Sequence, residues 1–153
     1  MFKYWLFLHF AGISIWVGSL LAVTIILIMM KKHLGSKELS TIVKKMTRVV
    51  NTLVHPSAFF VLLSGIFMII SMNFGDTPKP FYLEFMERIG GVTVLFTIIA
   101  VSIFGRRVVK KFNTLEKEGS VIIHPGSINT YITMMLISVL LVLAVIFVVS
   151  FRF

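Results

Sequence analysis

Six side chains carry most of the chemistry that this chain offers: His9, His55, His124, Met68, Met72 and Arg88. The sequence has no cysteine, which removes disulfides, thiolate-bound zinc, iron–sulfur clusters and thiolate haem ligation together. Imidazole nitrogen and thioether sulfur remain as ligands for a soft metal or a haem iron. Met68 and Met72 stand four apart, a spacing that places two thioethers on one face of a helix and suits Cu(I). With nine methionines in the chain, packing is the more ordinary use of each. Arg88 stands beside Glu84 and Glu87, so it serves either an interfacial ion pair or the carboxylate of a ligand. There is no Ser-His-Asp set, Gly-rich phosphate loop or pair of intramembrane carboxylates, and hydrolase and nucleotide-binding readings find no support.

The elements that must position these residues are membrane-spanning helices. The chain has 153 residues, of which 58% are hydrophobic and 14% charged, well below the roughly 25% charged of a soluble domain. Its mean hydropathy is +0.99. A spanning helix needs about 20 mostly apolar residues. Tyr4 to Met30, Val49 to Gly75, Ile89 to Gly105 and Val121 to Phe151 are four runs without a formal charge. The apolar run near the N-terminus is too long for the core of a signal peptide and lacks a small-residue cleavage site, so it reads as the first helix. The expected fold is an all-α integral membrane four-helix bundle, one domain over residues 1–153, with helices at about 3–30, 50–74, 85–105 and 128–151. Leu39 to Leu53 has apolar residues at helical spacing and is expected as a cytoplasmic extension of helix two, with a kink or break at His55-Pro56.

The net charge of +9 raises nucleic acid as a partner, but its distribution gives a different answer. Eleven of the fifteen basic residues lie in the two segments 31–48 and 106–117. Short basic loops stay cytoplasmic, so both chain ends are expected outside, in the plasma membrane, and no nucleic acid is needed to account for the charge. A rise of 1.5 Å per residue then converts position into depth. His9 lies about 8 Å below the outer surface, and Met68 and Met72, on a helix running the other way, lie about 18 and 24 Å from its cytoplasmic end. Arg88, Glu87 and Glu84 mark the outer mouth of helix three. His33, His55 and His124 fall at the cytoplasmic boundary. The depth difference of about 20 Å excludes His9 and His55 as opposite ligands of one iron.

On helix one, His9, Gly12, Ile13 and Trp16 share a face. Gly12 leaves a notch that admits a flat ring or another helix. His9 itself is read either as a ligand or as a histidine donating to a carbonyl of the neighbouring helix. A weak internal echo links Leu53-Val54-His55-Pro56-Ser57 with Ile122-Ile123-His124-Pro125-Gly126, the pattern that two hairpins in the same orientation would produce.

The stretch Leu8-His9-Phe10-Ala11-Gly12-Ile13-Ser14-Ile15-Trp16-Val17-Gly18 resembles the first-helix signature of the copper-resistance protein D superfamily, in which Leu-His and a small residue precede Trp-x-Gly. That group of small helical membrane proteins includes the HemJ-type protoporphyrinogen oxidases, four-helix haem-b proteins. The likeness continues at Met46 to Gly65, at Gly105-Arg106-Arg107 and in the closing Val148 to Phe153. It implies that His9 is an axial haem ligand or a copper ligand. The chain departs from the HemJ pattern at Thr24 to His33, at Ser127-Ile128-Asn129-Thr130 and at the helix-three lysine, for which Arg88 is at best a positional substitute. These departures speak against protoporphyrinogen oxidation.

The leading expectation is therefore a b-type haem held by His9, with Met68 or Met72 as the second ligand and Arg88 neutralising a propionate. Its role would be electron transfer or redox chemistry on a porphyrin or quinone. A variant places haem between His55 and His124. The alternative is copper handling, with Cu(I) on His9, Met68 and Met72, and a third reading is a cofactor-free helical partner of a larger membrane complex. Beyond the lipid bilayer, association with further copies of the chain is left open.

Overall fold

A computed structural model describes residues 1–33, 37–74, 78–118 and 125–152. Every element among them is helical, and four helices are long and apolar enough to cross a bilayer. The chain is a multi-pass membrane protein with an all-α four-helix architecture. We number the helices α1 (Phe2–Met30), α2 (37–72), α3 (Phe81–Lys117) and α4 (Pro125–Phe151). α1 packs against α2 and α4, while α3 packs against α4 and α2. Large apolar side chains such as Phe7, Phe59, Ile70, Val92 and Leu140 face outward, as lipid contact allows.

Helices α2 and α3 are longer than a bilayer requires. Glu38–Met72 has 35 residues and Phe81–Lys117 has 37, so each is more than 50 Å long at 1.5 Å per residue, against about 30 Å of hydrocarbon. α3 therefore overruns the expected 85–105 at both ends. Charged residues at its cytoplasmic end do not stop it, because Val108 and Phe112 bury there alongside Leu39 and Val43 of α2. Ser40 and Lys44 both reach Glu116, the lysine at 2.7 Å. The extension of α2 from Lys37 runs directly into its membrane portion.

At His55-Pro56, where a kink or break is expected, the helix runs on without a break. Immediately before the proline, Val50–Val54 form a wide π-type turn in which the His55 N–H reaches back to Val50 O. A proline ring clashes with the carbonyl four residues earlier in a regular helix. Widening the preceding turn relieves that clash while the helix continues. α2 ends at Asn73, whose φ of 42° is left-handed, a conformation that asparagine tolerates better than most residues. α3 contains two further wide turns, Met86–Gly90 and Thr97–Val101.

The packed core is displaced toward the end of the bundle that bears the two basic segments, the expected cytoplasmic side. The largest fully buried side chains include Leu20 and Leu27 of α1, Leu39 and Val50 of α2, Phe112 of α3 and Tyr131 of α4. None of that set comes from the outer third of any helix. The outer third is where a cavity opens.

Candidate functional site: a cavity in the outer half of the bundle

All four helices line a cavity of about 470 Å³, within the range of small-molecule sites. Leu6, Met72, Glu87 and Arg152 stand toward its outer rim, and Trp16, Val61, Thr93 and Val142 toward its floor near mid-bilayer. Leu6 and Trp16 are ten residues apart on α1, which makes the shaft about 15 Å deep. The wide turn Met86–Gly90 and the adjoining Gly91 form the α3 wall. Glycines there add no side-chain bulk, so the shaft stays open.

His9, Met68 and Met72 line this one cavity together, as their similar depths allow. His9 is half-buried, and its Nδ1 lies 3.0 Å from Val61 O and 3.1 Å from Ser64 Oγ, both on α2. The carbonyl can only accept. The Ser64 hydroxyl donates to Phe60 O at 2.6 Å, so it too has a lone pair to offer. Nδ1 must therefore carry the hydrogen, and in the neutral ring Nε2 carries the free lone pair. Both readings of His9 meet in this geometry. The residue donates to a carbonyl of the neighbouring helix, and that bond orients a free Nε2, the usual second contact of a metal-binding histidine. Gly65 lies beneath the ring, where an added Cβ would stand 3.4 Å from His9 Cε1.

The notch at Gly12 admits a helix rather than a ligand. An added Cβ there would come 2.7 Å from Val61 Cγ2 and 3.3 Å from Ser57 O. This close approach brings the Val61 carbonyl to His9. About one turn beyond His9 toward the outer end, Trp5 stacks on Phe67 with ring centroids 4.3 Å apart, so the α1–α2 seam is closed on both sides of His9.

Arg88 is not among the residues lining the cavity. Its guanidinium pairs with Glu84 at 2.7 Å on the outer surface, and its side chain is 77% exposed. Lys79 pairs with Glu87 at 2.6 Å. His55 stands on the α2–α3 seam, where Ser102 Oγ lies 3.1 Å from its Nε2. It is outside the cavity lining. His124 lies outside the described residues, as do Ile122 and Ile123 of the internal echo, and His33 closes a short helical turn after α1. Among the described residues no group of three His, Asp or Glu side chains could hold a metal ion; the donors lining the cavity are the His9 imidazole, the thioethers of Met68, Met72 and Met86, and the Glu87 carboxylate that Lys79 holds.

Ser64, Gly65 and Arg152 belong to this site and were not singled out from sequence. Ser64-Gly65 is a small-residue pair on helix two at nearly the depth of His9, a signal that was available in principle. In the sequence Arg152 is one of four basic residues outside the two basic segments. Trp16, already grouped with His9, is 3% exposed, and its indole N–H has no acceptor among the described residues.

No family model, curated protein or solved structure matches this chain.

Proposed function

We propose that the outer cavity binds b-type haem, with His9 Nε2 as an axial ligand, and that the protein serves one-electron redox chemistry in the plasma membrane on a porphyrin or quinone. The observation that carries this reading is the tautomer of His9: Nδ1–H donates to Val61 O at 3.0 Å, so Nε2 keeps its lone pair on a residue that lines the same cavity as Met68 and Met72. An imidazole and a thioether are an established axial pair for haem, and bound haem supplies one-electron chemistry whose potential depends on axial ligands and burial. The residues present fit that group: apolar walls for a macrocycle, one oriented imidazole and thioethers at neighbouring depth. The resemblance of Leu8 to Gly18 to the copper-resistance protein D signature supports the same histidine.

The chain's own contribution is to hold and orient. Val61 and Ser64 fix the imidazole tautomer and ring plane, Gly12 sets the distance between α1 and α2, and the bundle excludes water from the floor. The test is the absorption spectrum of the purified protein with haem added. The expected result is a Soret band shifted from that of free haem, lost in His9→Ala and retained in His55→Ala. A wild-type protein with no bound-haem spectrum would remove this reading, and loss in His55→Ala alone would move the haem to the cytoplasmic side.

A second reading, copper handling, uses the same His9, Met68 and Met72, a soft donor set suited to Cu(I). A cavity of about 470 Å³ with mainly apolar walls favours a planar organic cofactor over a bare ion. Copper retained through purification, with no haem spectrum, would reverse that order.

A further inference from the structure

The rim of the cavity carries a cation whose position was not apparent from sequence. Of the charged groups near the outer mouth, Arg88 is held by Glu84 and Glu87 by Lys79. Arg152 lines the cavity and has no carboxylate partner among the described residues. It follows the last turn of α4 and has a φ of 53°, a left-handed conformation uncommon for a residue with a side chain. Arg152 thus stands at the mouth of a mainly apolar shaft, on the same rim as Glu87, which Lys79 neutralises.

Resting on the reading that the cavity holds a porphyrin, we infer that Arg152 is the counter-charge for the carboxylates on that porphyrin's outer edge. A protoporphyrin is an apolar disc with two carboxylates on one edge. The cavity has the complementary polarity: apolar walls and floor, with its unpaired cation at the rim. A guanidinium matches a carboxylate with two parallel donors, and Arg152 is the cation lining the cavity that no carboxylate among the described residues engages. Arg88 carries the same fork but is engaged with Glu84 and does not line the cavity.

The test uses the full-length chain in detergent and three probes: haem b, haem b dimethyl ester and metal-free protoporphyrin IX. Binding is followed by quenching of tryptophan fluorescence, and for the haems also by absorbance. Arg152→Gln is expected to weaken haem and protoporphyrin IX by about ten- to a hundredfold, the range for a hydrogen bond to a charged group. The dimethyl ester should change less than about twofold, since its carboxylates are already blocked. Arg88→Gln should leave all three probes at the wild-type affinity, and Arg152→Lys should recover part of the loss.

Equal weakening of acid and ester would reveal a structural role and overturn the inference. So would an unchanged affinity in Arg152→Gln, which would leave Arg152 to the phosphates of the outer leaflet, or a loss confined to Arg88→Gln. Protoporphyrin IX lacks iron, so its binding does not need the His9 ligand. If His9→Ala and wild type bind haem equally while Arg152→Gln still discriminates acid from ester, the axial-ligand reading fails and this inference stands. If no probe binds, both fail.

Discussion

His9 is held by two acceptors, and they are unequal. Val61 O is fixed by the helix backbone, whereas Ser64 Oγ is a rotor already committed to Phe60 O. Ser64→Ala should therefore keep the tautomer and loosen only the ring plane. We expect a loss of haem affinity of up to about tenfold, at the mild end of outer-shell effects, measured by transfer of haem to apomyoglobin. The two methionines are unequal as well. Met68 is 7% exposed and Met72 38%, so Met68 has the more enclosed sulfur. Replacing a thioether ligand lowers the potential of a His/Met haem. A potentiometric titration should accordingly show a lower midpoint in Met68→Leu and little change in Met72→Leu; the opposite order would assign the ligand to Met72.

At the scale of elements, the positions that set helix spacing are glycines. Gly12→Ala drives a methyl against Val61 and the Ser57 carbonyl, and overpacking of this kind costs about 1–3 kcal/mol. Because the same approach delivers the Val61 carbonyl to His9, the variant should lose both thermal stability in detergent and the bound-haem spectrum. Gly105 works at the other end of the bundle. An added Cβ there would lie 3.2 Å from Tyr131 Cε2 and OH and 3.3 Å from Thr47 Cγ2. Gly105→Ala is expected to cost a similar 1–3 kcal/mol, yet to leave the haem spectrum intact because it lies in the cytoplasmic half. Comparing the two variants by thermal unfolding and absorption separates spacing at the site from stability in general. The helix through Pro56 illustrates why element boundaries were only partly legible. Sequence marks the steric conflict at the proline, but not that a wide turn at Val50–Val54 absorbs it while the helix continues.

At the scale of the whole molecule, the bundle is tight at its cytoplasmic end and open at its outer end. The two long helices continue past the bilayer and pair there through Leu39, Val43, Val108 and Phe112, which anchors that end and leaves the outer thirds of four helices free to enclose a cavity. The distribution of charge implies that the cavity opens outside the cell. A reporter fused after residue 153 should be active only on the outer side, and a single cysteine placed at Leu6 should react with an impermeant thiol reagent in intact cells. The native chain has no thiol, so the labelling would have no background. A reporter active in the cytoplasm would invert the molecule and turn the cavity inward.

Charge-free runs of about 20 residues can be read in sequence because the bilayer imposes length and apolarity on each helix independently of its neighbours. For that reason the four helices, the expected depths of the histidines and the joint placement of His9, Met68 and Met72 could be read from one dimension. Depth along an axis does not specify direction around it. Which face of α3 meets the cavity, whether Arg88 or Arg152 stands at its rim, and which carbonyl receives the His9 proton all depend on the rotation and contact of packed helices. Those are settled only where side chains such as Val61 meet Gly12 and the bundle closes in three dimensions.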